Sequence, residues 1–167
     1  MKLGGALLLI TAPLSVSVFE YIRYRNRQRY FCAFLEMIER SIVLIFTEKL
    51  SLLNIARDMC SEGPEELREI WKSVQMALET TEVNFETAWS EEMEKISCFA
   101  SGDCSLLLRY ATAIRSYDPV CICEELHSLK EKISMQKSKE QEGFVKNFKA
   151  SAGLGLSGAS LLLILLL

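Results

Sequence analysis

Two apolar runs, one at each end of the chain, constrain its fold more than any other feature. Leu3 to Ile22 reads LGGALLLITAPLSVSVFEYI, and Ala150 to Leu167 reads ASAGLGLSGASLLLILLL. Each is close to the roughly 20 residues a helix needs to cross the hydrocarbon core of a bilayer. The first carries a single charge, Glu20, near its end, and one proline, Pro13, which membrane helices tolerate. The second carries no charge. Transmembrane helices are therefore expected at 3–22 and 150–167. Gly153, Gly155 and Gly158 give the second run a small-residue face that another helix can approach closely. The first anchor is the expected neighbour.

Flanking charge sets the expected orientation. Arg23, Arg25, Arg27 and Arg29 follow the first run, Lys146 and Lys149 precede the second, and only Lys2 lies outside. By the positive-inside rule the segment 23–149 is cytoplasmic and both termini face outward. These cations also suit anionic lipid head groups. Nucleic acid is not an expected partner, because the net charge is only −3 and no basic field extends over the chain. A cleaved signal peptide fits less well than a retained anchor: Lys2 is the sole preceding cation, and cleavage after Ala12 would leave Pro13 next.

Between the anchors the apolar residues recur with helical spacing. The stripes are Phe31, Phe34, Leu35, Ile38, Ile42, Ile45; then Leu52, Ile55, Ala56, Met59; then Leu67, Ile70, Trp71, Val74, Leu78. Further on come Phe85, Ala88, Trp89, Met93, Ile96, then Leu107, Tyr110, Ala111, Ile114, then Ile122, Leu126, Leu129, Ile133. Gly63-Pro64-Glu65-Glu66 reads as a helix start, with proline and carboxylates in the first turn. Asn84 is a cap candidate, Ser101-Gly102-Asp103 marks a break, and Asp118-Pro119 is the clearest cap. No stretch alternates as a strand does. The expected fold is all-α: a cytoplasmic bundle of about six helices between an N-terminal and a C-terminal transmembrane helix. The polar run Gln136 to Glu142 is expected to project as a membrane-proximal stalk.

Catalytic chemistry is not expected. His127 is the only histidine and no triad surrounds it. GLGLSG lacks the lysine of a phosphate loop. Cys121, Cys123 and His127 resemble part of a metal site, yet only Cys123 and His127 share a helical face, and structural zinc takes four ligands. No cofactor, metal or small-molecule substrate is expected, and the six cysteines read as reduced packing thiols. Asp58 to Glu94 holds eleven acidic residues against two basic ones. A solvated face accounts for this; the sharper reading is a docking surface for a basic partner around Glu65, Glu66 and Glu69.

The stretches FLEMIERSI, EKLSLLNIA, NFETAWSEEMEKI, SLLLRYATAIRSYDP and KNFKASAGLGLSGASLLLILLL together resemble the stage III sporulation protein AB family over nearly the whole chain. The last is the most telling, a basic helix entering a glycine-rich and then leucine-rich anchor. Three places depart from the family pattern: Lys49-Leu50 for Pro-Leu, Ile114-Arg115 for Leu-Gly, and Ile122 for a glutamine. The resemblance implies a non-enzymatic role in endospore formation, in the mother-cell membrane facing the forespore. It implies a platform similar to that of type II secretion systems, with a cytoplasmic ATPase and the other membrane subunits of the complex as partners. A competing layout is a secreted, lipid-anchored small helical protein. An apolar start, six cysteines and an apolar tail fit it, but Leu154 and Leu156 fall where a polar spacer belongs.

Overall fold

The structure is a computed structural model. It describes residues 2–80, 83–96, 99, 101–115 and 118–166, and for 2–16, 101 and 149–166 the backbone alone. Among these residues the chain is all-α, with no strand. The six helices are α1 (Lys2–Phe46), α2 (Leu52–Glu62), α3 (Arg68–Glu79), α4 (Phe85–Glu94), α5 (Ser101–Ile114) and α6 (Pro119–Leu166). A 3-10 turn, Glu65–Leu67, leads into α3.

Local chemistry accounts for the boundaries. Asn84 Oδ1 accepts from the Thr87 backbone N–H at 2.8 Å and opens α4. Asp118 Oδ1 accepts from the Val120 N–H at 3.0 Å and opens α6, with Pro119 in the first turn. α1 ends where Lys49 enters the left-handed region, φ 53°. There the Thr47 N–H reaches the Val43 carbonyl (2.9 Å) and the Leu50 N–H reaches that of Leu44 (3.1 Å). Gly63 ends α2 in extended backbone, so its requirement is space: a Cβ would stand 2.3 Å from the Met59 carbonyl oxygen.

The chain divides into two compact units, residues 27–136 and residues 1–26 with 137–167. The first is the bundle. Its core gathers the expected stripes: Phe31, Phe34 and Ile38 of α1, Trp71 of α3, Trp89 of α4, Tyr110 of α5, and Leu126 and Ile133 of α6 are all at 0% exposure. The centre is aromatic. Trp89 lies 5.0 Å from Tyr110 and 5.2 Å from Trp71, ring centre to ring centre. Such tilted pairs contribute beyond their buried area. The polar tips of Trp89, Tyr110 and Ser41 are satisfied within the core, whereas the buried Trp71 Nε1 meets no acceptor among the described residues. Trp89 Nε1 donates to the Leu107 carbonyl (3.2 Å); Ser41 Oγ donates to the Met37 carbonyl (2.8 Å) and so accepts from Tyr110 Oη (2.7 Å).

In the second unit α1 and α6 lie together: Tyr24 stacks on Phe144 at 3.9 Å and Tyr21 approaches the same ring at 6.2 Å. The expected stalk at 136–142 is therefore only partly solvated. Gln136, Lys137 and Glu140 are half-buried, because one face of the helix is covered. The apolar runs expected to span a membrane fall mostly on residues whose side chains are outside those described, and so do Gly153, Gly155 and Gly158 and the side chain of Lys149. Among the described residues no helix is long and apolar enough to cross a membrane.

Candidate membrane and partner interfaces

The four arginines after the first apolar run do not share one role. Arg23 and Arg25 are exposed, as is Lys146 on α6. Around them Val18, Phe19, Tyr21, Ile22, Val145 and Phe148 leave large apolar area uncovered, Phe19 being 70% exposed. Aromatic rings and cations mixed in this way are what a membrane–water boundary selects. Tyr24 is half-buried in its stack, and that burial pushes its hydroxyl above the ordinary tyrosine range.

Arg27 and Arg29 belong to the bundle instead. Arg29 pairs with Glu66 across the surface at 2.9 Å. Arg27 donates to the carboxylate of Asp103, which is 2% exposed, while Gln136 Nε2 donates to the other carboxylate oxygen at 3.1 Å. Asp103 sits in the first turn of α5, where the helix dipole also favours a negative charge. This cluster was not foreseen from the sequence, which marks Asp103 only as a break. A signal was available: Asp103 lies four residues before Leu107 and Arg27 four before Phe31, so each occupies the next position of an apolar stripe.

The expected acidic docking residues divide in the same way. Glu65 is exposed and Glu69 receives Lys72 at 2.6 Å, an exposed pair of small energetic consequence. Glu66 is held by Arg29. A cleft of about 390 Å³ opens beside the end of α5, with Leu52, Phe85, Ala111 and Ile114 as its apolar lining. Glu86 and Arg115 face each other at its rim, 3.4 Å apart. The positions that depart from the family pattern lie at chain connections: Lys49 in the α1–α2 turn, Arg115 at the end of α5, and Ile122 in the first turn of α6.

The cysteines offer no reactive arrangement among the described residues. Cys60, Cys104, Cys121 and Cys123 are free thiols, and burial pushes those of Cys60 and Cys123 up, away from thiolate. Cys123 is buried while His127 is exposed, and no group of three or more His, Cys, Asp or Glu among the described residues could hold a metal ion.

An aromatic-cored helical bundle whose first and last helices also form a second, paired-helix unit defines a class of all-α proteins whose distinctive features are surfaces and helix ends. Within that class the chain belongs to the stage III sporulation protein AB family, which matches residues 2–167, and its role lies in stage III of sporulation. No curated protein and no solved structure matches it.

Proposed function

We propose that this protein is a non-enzymatic membrane platform of the channel complex between mother cell and forespore. In this reading the bundle docks a cytoplasmic ATPase and couples it to the membrane and to the other membrane subunits. The protein then resides in the mother-cell membrane facing the forespore, with residues 23–149 in the cytoplasm. The observation that carries the membrane part is the uncovered apolar and aromatic band, Val18, Phe19, Ile22, Val145 and Phe148, beside the exposed Arg23, Arg25 and Lys146. Apolar area of this kind on a helix pair costs free energy in water and is stabilised in the interfacial layer of a bilayer. Free thiols at the cysteines are what a cytoplasmic bundle requires, and thiol counting on the native protein separates this reading from the secreted, lipid-anchored layout, which expects disulfides.

Glu65 and Glu69 are the more accessible acidic contacts for a basic partner, since Glu66 is engaged by Arg29. Deleting residues 23–149 should abolish recruitment of the ATPase to membranes, scored by fractionation of sporulating cells; unchanged recruitment sinks the docking role. Reversing Glu65 and Glu69 to lysine tests the surface without breaking the Arg29–Glu66 pair. Undiminished binding would remove these residues from the interface.

A further inference from the structure

Arg27, Asp103 and Gln136 each stand where an apolar stripe would otherwise continue. In α1 the row is Arg27, Phe31, Phe34, Ile38; in α5 it is Asp103, Leu107, Tyr110, Ile114; in α6 it is Leu126, Leu129, Ile133, Gln136. Three helices thus end their buried rows with a polar side chain, and the three side chains meet. The Asp103 carboxylate is 2% exposed and Arg27 18%; one oxygen takes the Arg27 guanidinium, the other the Gln136 amide at 3.1 Å. Arg27 also lies over the Phe31 ring, 5.8 Å from its centre.

Stability alone is a poor reason to keep such a cluster. Withdrawing charges from water offsets most of their attraction, and apolar residues of similar volume often serve as well or better. Alignment is a better reason. If α1 slid by one turn, about 5.4 Å, the buried Asp103 carboxylate would be parted from the Arg27 guanidinium; if α6 slid, it would lose the Gln136 amide. A seam of leucine and isoleucine resists that slide far less, and single buried polar residues set register in paired helices for this reason.

We infer that Asp103 is a register key. It fixes the axial position of α1 and of α6 against α5, at the point where both helices pass between the bundle and the terminal unit of the chain. The device goes beyond ATPase docking and does not rest on it.

The test uses the full chain in detergent, with spin labels introduced as unnatural amino acids at exposed Glu36 on α1 and Glu131 on α6. Two variants are compared with the wild type: Asp103→Ala, and the triple replacement Arg27→Met, Asp103→Leu, Gln136→Met. The triple variant should melt no lower than the wild type, yet its inter-label distance distribution should broaden or shift by about one helical turn. Asp103→Ala should melt lower, because it removes the carboxylate that receives both Arg27 and Gln136. A triple variant that keeps the narrow wild-type distribution overturns the inference. So does one that melts well below the wild type, since the cluster would then serve stability, and so does an Asp103→Ala variant that melts unchanged.

Discussion

Gly63→Ala is the substitution whose consequence follows most directly from the geometry. Gly63 has φ −74° and ψ 171°, extended backbone that any residue adopts, so alanine meets no conformational barrier. Judged by backbone freedom alone, the substitution should stabilise the fold, because glycine loses more entropy on folding. Space reverses the sign. The new Cβ would stand 2.3 Å from the Met59 carbonyl oxygen, 2.9 Å from its Cα and 3.0 Å from its carbonyl carbon. All three are backbone atoms of the last turn of α2, and Met59 itself is at 0% exposure. The turn cannot retreat without moving a core side chain, so the penalty is that of overpacking, about 2 kcal/mol net. For a bundle spanning residues 27–136 that corresponds to a fall in melting temperature of roughly 6–12 °C. Circular dichroism at 222 nm on the full chain in detergent measures it. Gly102→Ala is the internal control, since nothing lies within 4 Å of its added Cβ, and it should be neutral or gain up to about 1 kcal/mol. If the two variants melt together, the steric reasoning is refuted.

Three further substitutions probe other causes. Burial pushes the Tyr110 hydroxyl far above its ordinary 10.0, so the folded state holds a proton that the unfolded chain releases. That contribution is complete below about pH 10 and declines as pH rises further; Tyr110→Phe should flatten the alkaline slope while costing about 1 kcal/mol at neutral pH through the lost bond to Ser41, and an unaltered slope would exclude Tyr110 as its source. Lys49→Pro should unfold the α1–α2 turn, because proline's ring holds φ near −65° and the residue adopts 53°; Lys49→Gly should be tolerated or slightly stabilising, and equal melting of the two would count against the left-handed turn. Asn84→Ala should cost about 1 kcal/mol by freeing the Thr87 N–H, read from the same melts, and a loss below a few tenths would mean that the cap is inert.

Six helices were legible in the residues because apolar spacing is a local property. The row Ile122, Leu126, Leu129, Ile133 is buried throughout, and both tryptophans lie in the core that their stripes implied. Asn84 and Asp118 were readable for a related reason, since a cap bonds to residues two or three positions away. The interfaces were less legible. Arg23, Arg25, Arg27 and Arg29 look alike in sequence, yet three are exposed, one of these pairing with Glu66, and the fourth meets the buried Asp103. The polarity of Gln136 to Glu142 points to a projecting stalk, but polarity does not reveal that Gln136, Lys137 and Glu140 are half-buried.

By itself the sequence determined the all-α class, the helix count, the inward faces, the two caps and the family, all carried by short-range spacing and by residue type. The tertiary structure alone decided that Gly63 must lack a side chain and that three apolar rows finish in one shared polar cluster. The physical reason is separation along the chain. Arg27 and Asp103 are 76 positions apart and Gln136 is a further 33 beyond Asp103, so their meeting depends on how three helices pack and on no pattern within any one of them.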